Sequence, residues 1–239
     1  DAPFVAAILE FDADVRKSVL VEERQRNLRD GSSLMYDTTA WNFSMMYGLA
    51  AVTVPQHLED GLKPWRGHTP TVDVQASAIA WTVNGDDDRS VAFAARLMEQ
   101  GVRVRITDKA TVLSGKTVSR GSVFVTAMDN PKTDNLTGLI EAQARALNVS
   151  VSAISSGYGA GDLPDWGGSH FRLLTRPQIA ILSHARFSSY DVGSSWWAID
   201  SHLGIRHSQV DAAYVSRADL RRYNTIVIPN GYRPLSGSA

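Results

Sequence analysis

The sequence predicts an α/β protein, a βαββαβ unit followed by part of a doubly wound domain. Three observations lead there. Short β-branched runs alternate with helical apolar stripes across residues 75–158. A glycine-rich stretch follows at 159–175. Beyond Arg176-Pro177, two charge-free apolar runs at 178–183 and 225–229 flank another helical stripe.

Residues 1–74 read as a helical lead-in. Phe4, Ile8, Phe11, Val15 and Val19 recur at helical spacing, which predicts a helix over 3–29 with Gly31 as its stop. Asp37 is placed to cap a short helix carrying Trp41, Met45 and Tyr47. Residues 49–54 read as a strand, and 55–70, rich in proline, glycine and charge, as a loop.

The second segment, 75–158, has the clearest pattern. A strand over 76–83 ends at Asn84-Gly85. Asp86, Asp87 and Asp88 supply a cap and favourable charge for a helix over 89–100, which Gly101 ends. Residues 102–106 form the next strand, and Ser114-Gly115 turns a hairpin between 112–113 and 116–118. A strand at 122–126 precedes an amphipathic helix marked by Leu136, Leu139, Ile140, Ala144 and Leu147. Asn148 is expected in the left-handed conformation at its end, before a strand at 149–154. The order fits either a split βαβ sandwich or a small doubly wound sheet.

Residues 159–175 read as an interdomain crossing. The third segment, 176–239, then opens with a strand at 178–183. Its helix has Val192, Trp196, Ile199 and Leu203 as the apolar stripe and Gly204 as the terminator. Ser188 or Ser189 is the expected cap, and Trp196 is expected in the core, where truncation to alanine costs about 3–5 kcal/mol. A short strand near 209–210, a helical turn over 217–223 and a buried strand at 225–229 complete a partial flavodoxin-like pattern. A run like the last normally feeds another element, so the polypeptide is expected to continue past Ala239.

Composition excludes several function classes. With 44% hydrophobic and 21% charged residues the chain can fill a globular core. A net charge of −1 without blocks of like charge points away from nucleic acid as a partner, and no apolar run is long enough to span a membrane. The cysteine count of zero removes disulfides, thiolate ligands and cysteine nucleophiles, and tilts the localisation towards export.

No histidine stands in a zinc-ligand spacing. His57 has Asp60 three residues on, but in a loop, and reads as a solvated histidine. His184 differs, because it follows the end of a parallel strand, where ligands collect in open α/β sheets. Ser188, Ser189 and Tyr190 follow at the start of a helix, whose free N–H groups favour a carboxylate or phosphate. His184, Ser188, Ser189 and Tyr190 are therefore the candidate ligand-binding residues, set against the simpler reading of one serine as a helix cap. A hydrolase reading of Ser188 with His184 lacks an acid partner by spacing. Trp166, beside Tyr158, Asp165 and His170 in the glycine-rich stretch, is a candidate surface platform. No catalytic and no metal-ligating residue is assigned.

Several short motifs resemble one family. Met35 to Trp41, reading M-Y-D-T-T-A-W, with Tyr47-Gly48, resembles a segment downstream of the catalytic domain in large bacterial secreted zinc-carboxypeptidase-like proteins of carboxypeptidase A type. Val102-Arg-Val104 followed by the stretch from Val118 to Val125 resembles a further part of them. The run from Pro177 to Leu182, with Ser188-Ser-Tyr190, Gly193, Trp196 and Leu203-Gly-Ile205, is similar to the start of their class I glutamine-amidotransferase-like domain. Arg222-Tyr223 with Ile226-Val-Ile-Pro229 is similar to that domain's next strand.

The resemblance spans most of the chain from about Tyr36. It implies a zinc metallocarboxypeptidase domain upstream of Asp1 as covalent partner, with zinc expected there and no cofactor in this chain. The H-x-x-E zinc motif is absent here, and so is the cysteine an active amidotransferase requires. The implied role is a non-catalytic accessory region of a secreted or periplasmic hydrolase, scaffolding it or positioning substrate, with a peptide or cell-wall ligand. The alternative is a small-ligand binding module using the crevice above strand 178–183.

Overall fold

The structure, a computed structural model, describes residues 16–32, 67, 69–184 and 187–231. The chain divides into two compact units, Asp1–Arg66 and Gly67–Ala239. In the first, α1 (Lys17–Asp30) ends where Gly31 turns left-handed at φ 63° and donates its N–H to the Asn27 carbonyl. This is the stop expected for the 3–29 helix. Residues 3–15 of that helix, the elements expected at 37–54 and the 55–66 part of the loop lie outside the described residues.

The second unit contains β1 (Ala80–Val83), α2 (Arg89–Glu99), β2 (Val104–Thr107), β3 (Thr111–Leu113), β4 (Lys116–Val118), β5 (Val123–Val125), α3 (Leu136–Leu147), β6 (Ser152–Ile154) and β7 (Phe171–Leu173). Five of its strands form an antiparallel sheet in the order β6-β1-β5-β2-β7. Both β1 and β2 run antiparallel to β5, which lies between them, so β1 and β2 are mutually parallel with one strand inserted. That is the split βαβ arrangement, one of the two arrangements the pattern allowed.

β3 and β4 form the expected hairpin, with Ser114 and Gly115 both at positive φ (51° and 71°), the geometry of a primed two-residue turn. Gly85 is required for another reason. A Cβ there would run into the backbone of Arg120, Gly121 and Ser122, where the turn after β1 meets the turn before β5.

One sheet face packs on the helices. Trp81, Val83, Val104, Val123 and Val125 meet Phe93, Leu97 and Met98 of α2 and Leu136, Ile140 and Ala144 of α3. On the other face Ala80, Phe124, Ile154 and Phe171 pack under Leu113 and Val118 of the hairpin, with Trp166 against them. The Trp166 ring lies 5.1 Å from Phe124 and 4.9 Å from Phe171, so it is a packing residue and not the surface platform the sequence suggested. The glycine-rich stretch is also more than a crossing. It supplies β7, whose residues pair with β2 at the sheet edge.

The aspartates before α2 act differently from expectation. Asp88 occupies the cap position without capping; Asp87 accepts the Arg89 N–H at 3.1 Å and forks onto its guanidinium at 2.8 and 2.7 Å. Asn148 ends α3 in the left-handed conformation, φ 54°, as anticipated.

The rest of the unit is a three-stranded parallel sheet of β8 (Ile179–Ser183), β9 (His207–Asp211) and β10 (Thr225–Val227), in the order β10-β8-β9. α4 (Ser189–Trp197), continued by a π-helical stretch at Ala198–Leu203, joins β8 to β9, and 3-10 turns at Ala212–Arg217 and Leu220–Arg222 lead to β10. β10 is an edge strand, not the buried one the apolar run suggested: Ile226 is exposed, and Ile228 just past it is 57% exposed.

α2 joins the two sheets. Its residues Phe93, Ala94, Leu97 and Met98 face the first sheet and α3. Ala95, one residue round the helix, packs on Ile179 and Ile181 of the second sheet and on Ile199 and Ile205 of the segment that follows it. Arg96 donates to the Leu203 and His202 carbonyls at 3.1 and 3.0 Å, and Glu99 receives Arg206 at 2.7 Å and Arg176 at 3.5 Å. Phe93→Ala should cost about 3–5 kcal/mol in urea unfolding.

The loop after β5 is tied back to β2 by charge. Arg105 forks onto Asp129 with two 2.8 Å bonds, and Thr126 donates to the same carboxylate at 2.9 Å. The guanidinium beside it holds the Asp129 carboxyl below its ordinary value. A depressed carboxyl pKa contributes stability that is complete above the unfolded value, about 3.9, and is lost as pH falls through the folded value. Melting curves should therefore show an acid-side loss of stability that is smaller in Asp129→Asn.

Candidate functional site

The candidate site forms where β8 ends. Its five residues, Ile-Ala-Ile-Leu-Ser, are all buried and run parallel to a neighbour on each side. An uncharged run of this kind is what a central parallel strand needs, because both of its faces are covered. At its carboxyl end the chain must turn back to feed α4, and His184 makes the turn with φ 62°. The loop is then pinned. The Phe187 N–H donates to the His184 carbonyl at 3.1 Å, and the Ser188 N–H donates to the Asn230 carbonyl beyond β10 at 3.0 Å.

Ser188 caps α4. It is buried, extended in backbone, and its hydroxyl accepts the Asp191 N–H at 3.4 Å. The cap assigned from sequence is thus present, and the helix stops at Gly204 in the left-handed conformation, φ 70°.

Between strand end and helix lies a cavity of about 330 Å³. Ser183, His184 and Phe187 border it from the strand and loop, and Ser189, Val192, Gly193 and Trp196 from the helix; Gln209 reaches it from β9. The helix residues are spaced i, i+3, i+4, i+7, one face of α4. Gln209 is in register with Ile181, which places it on the same sheet face as the strand positions that meet the helix. No aspartate, glutamate, lysine or arginine borders the cavity among the described residues.

The four residues singled out from sequence separate here. His184 and Ser189 border the cavity, Ser188 is the helix cap and does not border it, and Tyr190, 84% exposed, is not part of its wall. Gln209 and Phe187 went unrecognised. The 189-192-193-196 spacing was a readable signal for the helix wall, whereas Gln209 becomes visible only with the β8–β9 register.

Trp196 corrects the sequence reading. It is 39% exposed on the cavity wall and not in the core. The stripe Val192, Trp196, Ile199, Leu203 divides along the helix: Ile199 and Leu203 pack on Ile179, Ile181 and Ala95, while Val192 and Trp196 overhang the strand end.

A second polar cluster lies at the β7 edge. His170 Nδ1 is 2.7 Å from Asp108 Oδ1, and Arg172 reaches the other carboxylate oxygen at 3.1 Å. The hydrogen bond to His170, with Arg172 nearby, holds the Asp108 carboxyl below its ordinary value. The Asp108 N–H also donates to the His170 carbonyl at 3.1 Å, so the cluster fastens the start of β7 to the end of β2. Among the described residues no three His, Asp or Glu side chains converge as metal ligands, and His57 and His68 lie outside those residues.

Compared with protein families, curated proteins and solved structures, the chain gives no match. Two substitutions test the geometry. Ser188→Ala should destabilise by about 1 kcal/mol through loss of the cap. Trp196→Ala, at a half-open wall, should cost about 1 kcal/mol and not a core value; paired denaturation curves check both.

Proposed function

We propose that this chain is a binding and positioning module, and that its ligand seat is the crevice between the end of β8 and α4. The observation that carries this is the cavity at the carboxyl end of a central parallel strand. The three parallel strands lie second-first-third by chain order, with β8 central, and in open α/β sheets ligands bind outside the carboxyl ends of the strands. The cavity volume falls at the small end of the range for ligand pockets, about 300–1,000 Å³.

The setting proposed for the module is the accessory region of an exported zinc-carboxypeptidase-like protein, with Gln178 onward as the opening of a flavodoxin-like, amidotransferase-like domain. The motifs from Pro177 to Pro229 support it, as does the second-first-third parallel order, which is how a flavodoxin-like sheet begins. Recognition fits the residues better than catalysis. The Ser188 hydroxyl is engaged as a helix cap, and the sequence contains no cysteine to act as nucleophile.

Thermal-shift screening of the chain against amino acids, short peptides and sugars tests the seat. A true ligand at ten times its dissociation constant should stabilise by about 1.4 kcal/mol. Silence from every class would overturn the ligand seat. Stoichiometric tight zinc binding in calorimetry would overturn the non-catalytic reading.

A further inference from the structure

We propose that the crevice accepts a neutral polyhydroxylated ring the size of one monosaccharide unit, stacked on Trp196; this rests on the crevice being a ligand seat. Size sets the first limit, since a cavity of about 330 Å³, at the small end for ligand pockets, has room for one ring. Charge sets the second. No ionised carboxylate, ammonium or guanidinium borders the cavity among the described residues, so the described wall recognises by hydrogen bonds and not by ion pairs. The polar groups present are the Ser189 hydroxyl, the Gln209 amide and the His184 imidazole, with the buried Ser183 hydroxyl, which donates to the Val210 carbonyl at 3.5 Å, behind them. Each of these residue types both donates and accepts hydrogen bonds, as does every hydroxyl on a sugar rim.

The apolar wall matches the remaining face. Trp196 leaves 39% of its surface open beside the cavity, with buried Phe187 near it. An aromatic ring of this kind is suited to a ligand with one apolar face and a wet edge. Gly193 adds an independent observation. A glycine inside a helix is destabilising, and here a Cβ would meet no atom within 4 Å. The position is thus empty by sequence and not by crowding, and the missing side chain widens the wall between Val192 and Trp196.

Calorimetric titration of the whole chain decides the matter. One arm uses glucose, galactose and N-acetylglucosamine; the other uses glycine, alanine, glutamate and inorganic phosphate. Heat is expected in the sugar arm alone. Gly193→Leu, which fills the space while replacing a helix glycine, should abolish it without lowering Tm. Trp196→Ala should weaken binding about tenfold, with Trp196→Tyr retaining most of it. Heat confined to the amino-acid or phosphate arm, and lost in Gly193→Leu, would overturn the sugar ring and leave the seat intact. Sugar binding indifferent to both Gly193→Leu and Trp196→Ala would place the ligand elsewhere and overturn the proposal. Silence in both arms would overturn seat and ring together.

Discussion

The arrangement depends on α2 being buried on more than one side. A helix that covers a single sheet needs one apolar stripe. α2 covers one sheet and α3 with Phe93, Ala94, Leu97 and Met98, and turns Ala95 to a second sheet. Ala92 and Ala94 are buried as well, and alanine is what lets a helix approach on several sides. The polar residues at its end serve the same contact. Arg96 satisfies carbonyls left open where the helix after β8 ends, which a helix terminus otherwise leaves to water. Glu99 holds two arginines from the far segment. These are charge-assisted bonds at a partly shielded junction, stronger than pairs in open water.

The site inherits its position from that junction. α2 holds Ile199 and the end of the helical stretch against Ile179 and Ile181. The helix runs back from the carboxyl end of β8, so fixing its late turns on the strand leaves its first turns beyond the strand end. Val192 and Trp196 there share the cavity with Ser183 at the end of β8 and Gln209 of β9. Ser188 completes the geometry from the other side, with its amide on Asn230 and its hydroxyl on the Asp191 amide. The start of α4 is thus tied to the chain just beyond β10.

Most elements of the second unit were legible because their signals are local. Periodicity marked both long helices, Ser114-Gly115 marked the hairpin, and Gly31, Asn148 and Gly204 marked helix ends through their tolerance of positive φ. The misreadings share one cause. Apolar character at 225–229 and at Trp196 predicts burial, but burial depends on what lies opposite. Ile226 and Ile228 lie on or just past an edge strand, and Trp196 borders an open cavity. The Gly-rich stretch hid β7 because a three-residue edge strand carries too little pattern to stand out among glycines.

The sequence by itself determined the α/β class, the helix ends at Gly31, Asn148 and Gly204, a serine cap at 188 or 189, and the place of His184 after a buried parallel strand. Each follows from residues within a few positions of one another, where dihedral preference and period act directly. The tertiary structure alone decided the split strand order, the two-sided burial of α2, the arrival of Gln209 at the cavity, and the half-open state of Trp196. Those depend on contacts between residues distant in the chain, and a local pattern carries no record of which surface will come to face it.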